Sequence, residues 1–201
     1  MRLLNERQTD ALKELINIGV GGSVSLLDQM INHPIKLHVP RISVFRYAER
    51  HTIELWTELK DQALSAVKLQ FDGAFKGNAE IVFPPKSANN LVAALTGESE
   101  EGPGLDSVRV GTLLEVGNIV LNGVMGSLGN HLEQHFTFSL PAYQEDTFEN
   151  LILSNTHSDN PVVLLATAHF DIVDLQVNGE ILALFELSSF EKLKEAVDKI
   201  T

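Results

Sequence analysis

The chain has 201 residues and no cysteine. That excludes disulfides, thiolate-ligated zinc and thiol catalysis. No apolar run approaches the roughly 20 residues that a membrane span requires. The opening Met1-Arg2-Leu3-Leu4-Asn5-Glu6-Arg7 turns polar after two leucines, too early for the apolar core of a secretory signal. A cytoplasmic location is the expectation. Positive charge is also scarce: 15 Lys and Arg stand against 27 Asp and Glu, a net charge of −12. Such a chain has no long-range attraction to phosphate backbones or anionic lipid, which argues against nucleic-acid and membrane partners. It suits a partner with basic groups around its docking surface. What remains is ordinary for a globular protein, with 44% apolar and 21% charged residues.

The sequence is written twice. Glu14-Leu15-Ile16-Asn17-Ile18 returns as Glu115-Val116-Gly117-Asn118-Ile119, and Leu37-His38-Val39-Pro40 as Phe138-Ser139-Leu140-Pro141. Glu14 and Glu115, Asn17 and Asn118, and Pro40 and Pro141 all stand 101 positions apart. Asn78-Ala79-Glu80-Ile81 returns as Asn178-Gly179-Glu180-Ile181, 100 positions on, so one residue is deleted between the landmarks. An ordered set in one register marks an internal repeat. The seam, Gly97-Glu98-Ser99-Glu100-Glu101-Gly102-Pro103-Gly104, reads as an exposed linker. The expectation is one domain, 1–201, made of repeats at about 1–97 and 105–201.

Each half opens with a long amphipathic helix, roughly 5–31 and 107–132. Asn5 with Gln8 forms a capping box, and Asp106 or Ser107 caps the second helix. Residues 35–44, 63–71, 136–140 and 162–170 read as strands. Gly77-Asn78 and Asn178-Gly179 read as hairpin turns. A helix follows over 85–95, with Pro at its start and Gly97 beyond its end, and a last one over 188–200. The class is α+β: a pseudo-two-fold repeat of helix plus antiparallel strands, with the two long helices on the same face of the sheet.

On a helical wheel, Leu12, Leu15, Ile16, Gly19, Ser23, Leu26, Leu27 and Met30 share one side of the first helix. Asp10, Glu14, Asn17 and Gly21 share the other. In the second helix Leu113, Val116, Val120, Gly123, Val124 and Ser127 face in, and Glu115, Asn118 and Asn122 face out. A carboxylate and a carboxamide at i and i+3 therefore lie side by side on the outer face of both helices. A solvated face needs no such pair in register twice, and Asn is a mediocre helix former. Glycines 19, 21 and 22 are not a phosphate loop, because no strand precedes them and no Lys-Ser/Thr follows. Gly19 suits close helix packing, and Gly21 leaves room for a partner.

These residues resemble the CheC/CheX/FliY phosphatase family of chemotaxis. Its motif is Asp or Ser, three residues, Glu, two residues, Asn, 22 residues, Pro; Asp10, Glu14, Asn17 and Pro40 match it in full. Glu115, Asn118 and Pro141 match it again, with Gly111 where Asp or Ser is expected. Two copies in a free-standing chain resemble the CheC branch rather than CheX, which carries one, and the length leaves no room for the extra C-terminal domain of FliY. The resemblance implies hydrolysis of the phospho-aspartate of a CheY-like receiver domain. It implies that Asn17 and Asn118 position the attacking water and that Glu14 and Glu115 pair with a receiver lysine. Asp10, Gly21 and Asn122 are expected to touch the partner. No cofactor is expected on the chain itself, the Mg2+ belonging to the receiver. CheD is a further partner the resemblance implies.

His131 and His135 stand four apart, but Glu133 between them does not make a zinc-protease motif and the stretch runs off the helix end; no metal site is expected. His33, His38, His51, His157 and His169 are scattered and carry no assignment. The competing reading is a noncatalytic module that binds a receiver or CheD, resembling the middle domain of the flagellar switch protein FliM.

Overall fold

The computed structural model describes residues 4–97, 105–153, 162–185 and 187–200. Its first half runs α1 (Glu6–Ile31), β1 (Lys36–Leu37), β2 (Arg41–Arg46), a 3-10 turn, α2 (Glu54–Leu59), β3 (Ala63–Gly73), β4 (Gly77–Phe83) and α3 (Pro85–Thr96). The second half runs α4 (Leu105–His131), β5 (Phe136–Phe138), β6 (Ala142–Thr147), α5 (Phe148–Leu153), β7 (Val162–Ile172), β8 (Val177–Phe185) and α6 (Leu187–Asp198).

The eight strands form one antiparallel sheet whose central path is β1-β7-β8-β4-β3-β5. The halves exchange edges. Strands β1 and β2 pair with β7, while β5 and β6 pair with β3. At the centre β4 lies beside β8, with Ile81 opposite Ile181. Those are the matched isoleucines of the two Asn-x-Glu-Ile segments, so a pseudo-two-fold axis passes through that pair.

One face of the sheet carries α1, α4, α3 and α6. Leu12, Leu15, Val20 and Leu27 of α1 and Leu113, Val116, Val120 and Leu121 of α4 are buried there against Val67, Leu69, Ile81 and Phe83. Each fully buried side chain of this size contributes about 1.5–3 kcal/mol. The other face carries a smaller core, in which Trp56 and Phe148 of the short helices α2 and α5 cover Leu64, Ala66, Val82, Leu165 and Leu182. The two long helices run antiparallel: Gly19 lies against Val124 and Ser127, and Ser23 lies against Gly123. A Cβ on Gly19 would stand 3.0 Å from the Val124 carbonyl oxygen, so small residues set this approach.

Helix α1 starts in the capping box read from the sequence. The Gln8 N–H donates to Asn5 Oδ1 (2.8 Å) and the Asn5 N–H donates to Gln8 Oε1 (3.0 Å). The Gln8 amide also donates to Asp198 at 2.6 Å, tying the start of α1 to the end of α6. Helix α3 has Pro85 in its first turn and ends on Gly97 in the left-handed region, φ 70°, a conformation glycine adopts without strain.

Several expectations need correction. Strand 35–44 is broken: β1 stops at Leu37 and β2 starts at Arg41, because Pro40 has no N–H to give to a ladder. Pro141 separates β5 from β6 in the same way. Gly77-Asn78 and Asn178-Gly179 are not turns but lie inside β4 and β8. There the rings of Phe71 and Phe170, directly across the ladders, occupy the space a side chain on Gly77 or Gly179 would need. Leu26 and Met30, placed inward on the wheel, are 49% and 44% exposed. Asp106 and Ser107 lie within α4, which begins at Leu105. The side chains of Ser188 and Ser189 and the seam 98–104 fall outside the described residues. Finally, Ser107–His131 is long and apolar enough by composition to span a bilayer. Here it is a core helix, apolar on several sides because the sheet, α1 and α3 pack against it, with only its outer face open.

Candidate functional site

Both long helices lie on one face of the sheet, so their outer sides share a surface of the molecule. On α1 the sequence-selected residues form a solvent-facing row. Asp10, Glu14 and Asn17 are exposed. Asp10 makes a loose ion pair with Lys13, at 3.7 Å. Glu14 and Asn17 have no hydrogen-bond or ion-pair partner among the described residues. Gly21, one turn on, has nothing within 4 Å of where a Cβ would stand. The row thus offers an unengaged carboxylate and an unengaged carboxamide, with clear space beyond them. Ile18, adjacent to Asn17, is 42% exposed; an apolar group left uncovered beside polar ones suits a protein partner.

Helix α4 presents the second set. Gly111 and Glu115 are exposed, while Asn118 and Asn122 are half-buried. The Asn122 amide donates both to the Asn118 backbone carbonyl (2.8 Å) and to its Oδ1 (2.7 Å). Gly21 stands where Asn122 stands, 101 positions apart, so the two sets are not equivalent: one carboxamide is free and one is tethered. Glu115 has no partner among the described residues. No Asp10 counterpart exists on α4, and Leu114 replaces the ion-pairing Lys13.

The start of α4 is braced by a cluster that sequence reasoning did not find. Arg109 Nη2 donates to Ser65 Oγ and to Glu145 Oε1, each at 2.9 Å, which links α4 to β3 and β6. The Tyr143 hydroxyl donates to the same Glu145 oxygen. The Tyr143 hydrogen bond lowers the Glu145 pKa; burial works against it and the Arg109 guanidinium adds to it. Tyr143 is raised, first by burial and then by Glu145. Arg109, Tyr143 and Glu145 match Gln8, Ile42 and Val44 in the first repeat, so the cluster is not doubled and the repeat pattern missed it. The motif prolines sit where the chain turns out of each repeat's first strand. Pro40 is buried and Pro141 half-buried, each preceded by an apolar residue open to solvent, Val39 and Leu140 at 82% and 89% exposed.

A carboxamide held on a helix can accept a hydrogen bond at its oxygen and donate from its nitrogen without adding charge. Beside a carboxylate one turn earlier, it can hold a small polar molecule while the acid engages a cation. Among the described residues these rows hold no Ser-His-Asp set and no histidine.

No family model matches the chain. The CheY-P phosphatase CheC of Bacillus subtilis (strain 168) is 25% identical over 198 residues, covering 94% of this chain and 93% of that protein. The chain resembles the CheC/CheX/FliY family over nearly its whole length. FliY of Thermotoga maritima superposes on this CheC-like chain with a TM-score of 0.77 at 17% identity, covering 99% of this chain and 100% of that one. CheX of Borrelia burgdorferi, solved in complex with CheY, BeF3 and Mg2+, gives 0.58 at 18% identity over 85% of this chain and 96% of that one. The FliM middle domain of H. pylori gives 0.63 at 12% identity over 96% and 99%. The solved structures establish the CheC-like fold, α+β in a single antiparallel-sheet domain.

Proposed function

We propose that this chain removes the phosphoryl group from the aspartate of a CheY-like response regulator. The observation that carries the reading is the pair of Glu-x-x-Asn rows on two antiparallel helices that cover one face of the sheet, exposed on α1 and partly so on α4. The resemblance to a protein named a CheY-P phosphatase supports it, as does the related fold solved with CheY bound.

In this reading a receiver docks against one helix at a time. Glu14 or Glu115 pairs with a receiver lysine and fixes the register. Asn17 or Asn118 accepts a hydrogen bond from a water and holds it in line with the acyl phosphate. The water oxygen forms the new bond to phosphorus as the bond to the aspartate oxygen breaks. The products are inorganic phosphate and free carboxylate, and the water proton passes to solvent. The receiver's own Mg2+ supplies charge stabilisation at the phosphoryl oxygens. Phosphoryl transfer depends mainly on positioning and electrostatics, so a neutral, well-aimed amide is sufficient equipment and no strong base is needed. Acting on a receiver domain places the protein in the cytoplasm.

The test is phosphate release from a phosphorylated CheY-like receiver, by parent and by the Asn17→Ala, Asn118→Ala double variant. The expected result is near-complete loss of acceleration with an unchanged circular dichroism spectrum. Equal rates would end this mechanism. The fold shared with the FliM middle domain favours a second reading, a noncatalytic binding module; receiver binding by the parent without faster phosphate loss would select it. Engagement of CheD is a separate expectation, tested by copurification.

A further inference from the structure

On the sheet face away from α1 and α4, the odd-numbered residues of β7 continue past the small core into a polar cluster. Leu165 belongs to that core; His169 and Asp171 lie beyond it on the same side, because side chains alternate along a strand. Glu180 of β8 lies directly across from His169. His38 arrives from the other repeat, just after β1, with its backbone N–H donating to the His169 carbonyl at 3.0 Å.

The side chains converge. His38 Nε2 is 2.7 Å from Asp171 Oδ2, and His169 Nε2 is 3.3 Å from Asp171 Oδ1. The other ring nitrogen of His169, Nδ1, is 2.7 Å from Glu180 Oε1. One ligand atom from each of His38, His169 and Asp171 lies within 4.8 Å of the others. We propose that His38, His169 and Asp171 form a three-ligand site for a zinc-class divalent cation, with Glu180 orienting His169 and water completing the shell.

Three features carry this. Two imidazoles and a carboxylate are a ligand set zinc accepts, and bonds of about 2.0–2.2 Å in a tetrahedron put ligand atoms roughly 3.4 Å apart. The observed 2.7 and 3.3 Å both fall short of that value, by about 0.7 and 0.1 Å, so small outward side-chain rotations suffice. In the tautomer whose Nδ1–H donates to the Glu180 carboxylate 2.7 Å away, His169 keeps its Nε2 lone pair toward Asp171; a carboxylate behind a ligating histidine is the usual support of such sites. Charge also favours a cation. The concavity is lined by Arg41 and Glu58 beside His38, His169 and Glu180. With Asp171, three carboxylates outnumber the two cations on this face, Arg41 and the Lys36 that stands across the ladder from Asp171. The competing account is a metal-free patch of His–carboxylate hydrogen bonds.

A bound ion would link the first repeat's β1 end to the second repeat's β7, so it stabilises the folded chain by mass action. The test is calorimetric titration of the chelator-stripped full chain with Zn2+ at neutral pH, with Co2+ absorption as a coordination probe. One ion per chain is expected, with a melting temperature that rises with Zn2+ and returns with chelator. His38→Gln and His169→Gln should each abolish binding, and Glu180→Gln should weaken it about 10- to 100-fold. The site is overturned if neither ion binds, or if binding survives the double histidine substitution. Parent-like affinity in Glu180→Gln overturns the role given to Glu180. If the histidine variants fail to fold, Zn2+ protection of His38 and His169 from diethylpyrocarbonate in the unsubstituted protein decides: protection supports the site and equal modification overturns it.

Discussion

Asn122 holds Asn118: its amide donates to Oδ1 of the same carboxamide that the second repeat aims outward, at 2.7 Å. The first repeat has Gly21 at the matching position, so Asn17 has no such tether. The tether occupies one lone pair of Oδ1 and leaves the other for a water. Asn122 thus acts through Asn118, and the two sites should differ in how well their amides are oriented before a partner arrives.

With Asn17→Ala silencing the first site, Asn122→Ala is expected to lower kcat for phosphate release about tenfold, because a misdirected amide costs rate out of proportion to its displacement. KM should hold. Steady-state kinetics that separate the two constants check this. A raised KM at constant kcat would instead give Asn122 the partner contact expected from the sequence.

On the proposed function, Ile18 is where a receiver would touch the first site. It is exposed beside Asn17, so Ile18→Ser should leave stability within about 0.5 kcal/mol, as surface changes do. With Asn118→Ala silencing the second site, the same change should raise KM roughly tenfold, the loss of a contact worth over 1 kcal/mol in binding. Denaturant melts and receiver titrations check both halves.

The glycines of α4 separate packing from propensity. A Cβ on Gly117 would stand 2.4 Å from Val67 Cγ1, whereas one on Gly111 meets nothing within 4 Å. Gly117→Ala should therefore cost about 1–3 kcal/mol through overpacking against the sheet. Gly111→Ala should gain about 0.5–1 kcal/mol, since glycine is a poor helix former. Urea midpoints at a constant slope read both.

Much of this arrangement is legible in the sequence because a repeat measures the same geometry twice. The outward row on α1 follows from helical period alone, the helix start at Asn5 follows from its side chain, and the stop at Gly97 follows from the absence of one. What is illegible depends on neighbours distant in the chain. Leu26 and Met30 fit the apolar stripe, yet they lie at its edge and stay 49% and 44% exposed while Leu27 and Ile31 beside them are buried. Gly77 and Gly179 carry turn chemistry, yet the rings of Phe71 and Phe170 need the space. The exchange of β1 and β2 onto β7 has no local signature, so the meeting of His38 with His169 and Asp171 is invisible until the sheet is assembled. The tether is an intermediate case: Asn118 and Asn122 at i and i+4 are readable as neighbours, but not the direction of the bond.

Acid should loosen the brace at the start of α4. The folded pKa of Glu145 lies below its ordinary value, held there by the Tyr143 hydroxyl and the Arg109 charge against the effect of burial. A depressed carboxylate contributes stability above its unfolded pKa and loses it as pH falls through the folded one. Glu145→Gln removes that term and leaves Arg109, only 22% exposed, with a neutral neighbour. At neutral pH the variant should be less stable by about 1 kcal/mol, a modest figure because Glu145 itself is 54% exposed and screened by solvent. As pH falls below the ordinary carboxylate value of about 4.3, the parent loses the same contribution, so the two proteins converge. Asp72, Asp146 and Asp171 are also depressed and weaken both proteins in acid alike. The difference between the two melts as a function of pH therefore isolates Glu145. A gap that stays constant down to about pH 3 would mean that the substitution acts through packing rather than through charge.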